Sequence, residues 1–80
     1  MTPVSKTAVR EFSGKIIGWV ETDKEGNQQV RTFTGKIVGR YDKTLDCTRT
    51  FTGKIITKGN TVVGLLYMPE YNPDFKPNTN

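Results

Sequence analysis

"RTFTGKI" occupies Arg31 to Ile37, recurs unchanged at Arg49 to Ile55, and has a near copy, "REFSGKI", at Arg10 to Ile16. The shared pattern is R-x-F-[ST]-G-K-I-[IV]. Phe12, Phe33 and Phe51 are separated by 21 and 18 residues, the length of a hairpin and its connection. Self-similarity at such a period marks supersecondary units that stack or radiate. β-branched and aromatic residues flank a Ser-Gly or Thr-Gly pair in each unit, a composition that suits two strands joined by a tight turn. "DKEGN", "DKT" and "KGN" supply further turns, and no window has a helical period.

The expectation is an all-β chain without helix, an antiparallel meander of seven or eight short strands in a compact radial or barrel-like sheet. Residues 1–7 form an N-terminal arm, 8–67 the hairpin-repeat domain, and 68–80 a tail. Within the domain the units lie near 10–18, 31–39 and 49–57, with a degenerate fourth at 58–67, where Val62-Val63-Gly64 echoes Ile37-Val38-Gly39. In the tail, Pro69, Pro73 and Pro77 share a four-residue period with Tyr67, Tyr71 and Phe75. Proline at that density excludes helix and central strand. Such a tail lies on its own sheet, is disordered after about Asn72, or contacts a neighbouring subunit or another partner through those three rings.

A two-residue Thr-Gly loop pairs Phe33 with Lys36 and Arg31 with Val38. One face of the unit then carries Val30, Thr32, Ile37, Gly39 and Tyr41, and the other Arg31, Phe33, Lys36, Val38 and Arg40. A loop one residue longer regroups both faces, because a one-residue slip flips every side chain. With the shorter loop, Arg10, Arg31 and Arg49, Lys15, Lys36 and Lys54, and Phe12, Phe33 and Phe51 recur in register, with Trp19 beside them. Arginine next to an aromatic on one sheet face can neutralise phosphates and stack bases. These ten residues are the candidate ligand surface. The bland alternative is that the apolar residues are core and the arginine stems cover its edge.

Composition narrows the function. Eighty residues at 34% hydrophobic content bury only a small core. Histidine is absent and Cys47 is the sole cysteine, so neither a disulfide nor a Cys/His metal site is available as a staple. Homo-oligomerisation is expected instead. No cofactor is implied. No nucleophile and base pair stands out, which argues against an enzyme. The Gly-Lys pairs lack the spacing and following helix of a phosphate loop. Residues 1–66 hold eleven Lys/Arg against six Asp/Glu, a surplus that can steer anionic partners. The longest apolar run, Val62 to Met68, is far short of a membrane span, so no membrane partner is expected. The lone cysteine and the absence of an apolar leader point to the cytoplasm.

"GKIIGWV" and "GKIVGRY" resemble the hairpins of the small bacterial four-fold β-flower proteins, in which a Gly-Lys turn is followed by Val or Ile, then Gly and an aromatic. The resemblance spans roughly residues 10–67, with Gly14, Gly35, Gly53 and Gly64 marking successive hairpins. Thr57 departs from it by replacing the second glycine of the third unit. It implies a radial β architecture and no particular activity. The expected function is a small non-enzymatic binding protein that holds a nucleotide or single-stranded nucleic acid on its basic, aromatic face. The alternative is a structural or protein-interaction module that uses the Tyr/Pro tail.

Overall fold

The computed structural model describes residues 2–75. Six antiparallel strands follow one another in chain order: β1 (Pro3–Arg10), β2 (Ile16–Asp23), β3 (Gln28–Thr32), β4 (Ile37–Asp42), β5 (Cys47–Thr50) and β6 (Ile55–Lys58). A 3-10 helix, η1 (Val62–Tyr67), closes the chain of elements. The sheet runs β1-β2-β3-β4-β5-β6 and stays open. The meander is therefore as expected, while the sheet is not closed into a barrel and the described residues form six strands rather than seven or eight. The expected N-terminal arm enters β1 at Pro3, and the expected fourth unit is not a hairpin. After β6 the chain turns through Gly59 and folds "VVGLLY" into η1, two turns of 3-10 helix in place of the expected fourth unit, and the described residues hold no α-helix. This segment is apolar on too many sides for an edge strand, and η1 buries Val62, Leu65 and Leu66 together.

The repeated motif builds a longer turn than a Thr-Gly loop. Thr32 N–H donates to the Lys36 carbonyl at 2.8 Å and Gly35 N–H to the Thr32 carbonyl at 2.9 Å, so Phe33-Thr34-Gly35 is a three-residue loop. Gly35 has φ +96°, a conformation that disfavours any side chain. The hydroxyl of Thr32 also accepts from Lys36 N–H at 3.2 Å. Bonds of the same lengths close Glu11 to Lys15 and Thr50 to Lys54. The phenylalanines thus sit in the turns, not in the ladder, and the Phe33–Lys36 pair does not form.

Each motif also contains a β-bulge. Val30 pairs with Gly39 and Arg31 with Ile37, which leaves Val38 as the extra residue. Ile17 and Ile56 are skipped in the same way in the β1–β2 and β5–β6 ladders. The longer turn and the bulge regroup the faces: Ile37 moves to the face of Arg31, and Val38 turns into the core. One sheet face then packs Ile17, Val20, Val30 and Val38 against Val62, Leu65 and Leu66, with Val9, Tyr41, Ile56 and Tyr71 at the margin.

The second glycine of the motif is explained by what lies over it. A Cβ on Gly39 would stand 2.5 Å from Leu65 Cδ1, and one on Gly18 would stand 2.8 Å from both Leu66 methyls. The 3-10 helix thus places two leucines on two glycines. Position 57 has no leucine above it, and Thr57 instead shares a hydroxyl contact with Thr61 at 2.7 Å. Past η1, buried Asn72 donates to the Leu66 carbonyl at 2.9 Å and fixes the start of the tail. Residues 76–80, including Pro77 of the proline series, lie outside the described residues.

Candidate functional site

The face opposite η1 has no covering element. Strand register sets its side chains in rows. Lys6, Glu21, Gln29, Arg40 and Arg49 are successive cross-strand neighbours, and Ala8, Trp19, Arg31 and Ile37 form the next row. Between β3 and β5 this face forms an open cavity of about 620 Å³, lined among others by Gln29, Arg31, Ile37, Arg40, Asp42 and Arg49.

Its three arginines are placed differently. Arg31 Nε donates to Glu21 Oε1 at 2.7 Å, and a second Arg31 nitrogen donates to the Gly35 carbonyl at 2.8 Å. Glu21 also accepts from Gln29 Nε2 at 2.7 Å. The Arg31 bond, followed by that from Gln29, holds the Glu21 carboxyl below its ordinary pKa. Arg40 is exposed and lies directly across the ladder from Arg49, and like charges so placed repel. Arg49 does not repeat the bonds of Arg31. Its Nε is buried and makes no hydrogen bond of good geometry, with the Cys47 side chain the group nearest to serving as acceptor for the guanidinium. Hydrogen bonding to the Cys47 side chain, then its charge, pushes the guanidinium's pKa up; burial opposes this, and Asp42 adds a smaller effect upward.

The other expected ligand residues are dispersed. Arg10 lies at the end of β1, outside the cavity, and donates to the Gly14 carbonyl at 2.8 Å. Two of the three repeated arginines therefore brace their own turn, which accounts for their repetition without a ligand. Lys15, Lys36 and Lys54 follow the turn glycines and are exposed, as are Phe12, Phe33 and Phe51. Trp19 is half-buried on the open face, with Lys6 Nζ 4.6 Å from its ring centroid. The tail rings engage their own chain: Tyr67 meets Phe75 edge to face at 5.7 Å, its hydroxyl donates to the Arg10 carbonyl at 3.2 Å, and Tyr71 packs on the core.

Arg40, Gln29 and Asp42 belong to the cavity and were not among the expected site residues. Arg40 aligns with Trp19 and Lys58 in the other units, so letter identity hides it. The available signal is positional: a large cationic or aromatic side chain follows the second glycine, or its replacement, in all three units.

Two flanking turns hold the cavity's far end. Asp23 is raised by burial and lowered more by bonds from Asn27, Glu25 and Gly26, so its pKa is depressed on balance. Tyr41 donates to Asp46 Oδ1 at 2.7 Å, which raises the phenol's pKa. Among the described residues no group of three or more His, Cys, Asp or Glu side chains is placed to hold a metal ion. No helix among them is long and apolar enough to cross a membrane. No protein-family model, curated protein or solved structure matches this chain.

Proposed function

We propose that the chain is a non-enzymatic binding module whose open sheet face holds a phosphate-bearing anion, a nucleotide or a stretch of single-stranded nucleic acid, between Arg31, Arg40 and Arg49. The observation that carries this reading is the Arg40–Arg49 pair: two like charges opposed across a ladder, both lining the open cavity. An isolated sheet has no use for that arrangement, because a like-charge contact costs stability. A multivalent anion relieves that repulsion by neutralising both guanidinium groups. Its oxygens accept from the outer guanidinium nitrogens of Arg49 and from the Arg40 fork, and charge-assisted bonds of that kind are the stronger class. Gln29 adds a neutral amide on the same row. Trp19, one row away, offers a ring for a base, in keeping with the stacking surfaces that bind single strands.

Homo-oligomerisation belongs to the same proposal. Both sheet edges, β1 and β6, are unpaired, and an exposed edge is a template for another strand. The alternative, an interaction module working through Tyr67, Tyr71 and Phe75, has less support, since all three rings already pack within the chain.

Titration calorimetry with pyrophosphate, a nucleoside triphosphate and a short oligothymidylate tests the reading. Binding that falls at least tenfold in Arg40→Gln/Arg49→Gln and is unchanged in Arg10→Gln supports it. Absence of binding to all three probes in low-salt buffer, or equal loss in Arg10→Gln, removes it.

A further inference from the structure

The three copies of the motif turn at the same end of the sheet. In an up-and-down meander the β1–β2, β3–β4 and β5–β6 connections share one end, and the β2–β3 and β4–β5 connections share the other. Phe12, Phe33 and Phe51 therefore form a row of tips about 10 Å apart, twice the interstrand distance. All three rings are exposed: Phe12 completely, Phe33 at 58% and Phe51 at 62%. Phe33 borders a small cavity that it shares with Phe75.

Folding needs the glycine of each tip, and the hydroxyls of Thr32 and Thr50 accept from the returning Lys36 and Lys54 N–H groups at 3.2 Å. It does not need phenylalanine at the position after Thr32 or Thr50, which most residues can occupy in such a turn. Each ring is followed three residues later by an exposed lysine, Lys15, Lys36 or Lys54. Arg10 lies against the Gly14 carbonyl at the first tip. The opposing charges at this end are Glu11 and Asp74, the latter bonded to Thr34 at 3.3 Å, so the row keeps a positive surplus.

We propose that this row of Phe-[ST]-Gly-Lys tips is a docking surface for an anionic lipid bilayer. Protruding rings separated by gaps fit either a partner with three matching hollows or one that yields. The headgroup–acyl boundary yields: it accepts aromatic side chains at shallow depth while lysines beside them meet anionic headgroups. A single strand of nucleic acid is served better by rings lying flat on a platform than by rings on separate tips. Lack of a spanning segment does not oppose this contact, since nothing crosses the bilayer.

Co-sedimentation of the full chain with vesicles of phosphatidylglycerol and phosphatidylcholine tests the proposal. Binding is expected at low salt and should weaken on phosphatidylcholine alone. Phe12→Ser/Phe33→Ser/Phe51→Ser should lose it at least tenfold with its β circular dichroism intact. Phe12→Ser/Phe51→Ser, which leaves the contact of Phe33 with the tail, should lose an intermediate share. Each lysine should be worth about fivefold, so Lys15→Gln/Lys36→Gln/Lys54→Gln should lose about a hundredfold. Phe51→Trp should show emission that shifts to the blue on vesicles. No binding to anionic vesicles overturns the proposal, as does binding that survives loss of all three rings. It is equally overturned if the rings are needed for an oligothymidylate and vesicles are ignored.

Discussion

The seven residues from Arg31 to Ile37 and the seven from Arg49 to Ile55 are identical, and the hairpins they build share a turn, a bulge and a glycine at φ +96° or +95°. Their surroundings differ. The first hairpin lies under η1, with Val38 buried and Leu65 on Gly39. The second lies at the sheet edge, with Ile56 half-covered and Thr57 in the glycine's place. Arg31 is held by Glu21 and by its own turn, whereas Arg49 is held by neither and has a buried nitrogen unmet. The same letters thus fix local geometry twice and energetics only once. Neighbours in space, Glu21 and Leu65 for one copy and Arg40 and Cys47 for the other, decide what each residue does.

Exchanging the residues that distinguish the copies breaks this comparison most sharply. Gly39→Thr gives the covered hairpin the edge hairpin's residue, beneath Leu65 Cδ1 and against the Arg49 carbonyl, where a Cβ would stand 2.5 and 2.6 Å away. Urea denaturation should show a loss of about 3 kcal/mol, the upper range for overpacking a core. Thr57→Gly makes the reverse exchange and should cost only about 0.5–1 kcal/mol, the backbone entropy of glycine in a strand. Equal losses in the two variants would mean that η1 does not distinguish the hairpins.

The shared part of the comparison predicts equality instead. Gly35→Ala and Gly53→Ala each force a side chain into positive φ with open space around it. Each should cost about 1–2 kcal/mol. A clear difference between them would show that the turn itself depends on its setting.

A smaller effect separates the arginines. In the Arg31–Glu21 pair the side chains are 32% and 12% exposed, and Arg31→Gln should cost about 1 kcal/mol. Because Glu21 titrates below its ordinary 4.5 when folded, the pair stabilises the fold above that pH, and the contribution fades as pH falls through the lower folded value. Denaturation midpoints compared between pH 7 and pH 3 should therefore fall less in Arg31→Gln than in the parent chain.

The contrast also explains what was legible in the sequence. The repeat, its β content and its meander order follow from local chemistry, namely β-branched runs punctuated by Gly turns, and the structure has them. The length of the turn was not legible, because Phe33 reads equally well as the last strand residue or the first turn residue. The Thr32 hydroxyl and the bulge at Val38 decide it, and neither leaves a mark in hydrophobic periodicity. η1 was missed because "VVGLLY" imitates the strand that precedes each second glycine. Its partners, Gly18 and Gly39, lie well away in the chain and are recognisable only once the sheet is assembled. On the open face, reading what repeats found Arg31 and Arg49 but passed over Arg40, whose importance lies in the residue across from it.

The most direct test of the claim that Arg40 and Arg49 stand opposed to hold an anion is the melting temperature of the parent chain and of Arg49→Gln, each titrated with pyrophosphate. The account predicts that without anion Arg49→Gln melts no lower than the parent, since it removes a like-charge contact. It also predicts that the parent's melting temperature rises with pyrophosphate, as for any ligand bound only by the folded state, while the variant's stays flat. An Arg49→Gln chain that melts lower without anion, yet gains as much from pyrophosphate as the parent, would contradict it.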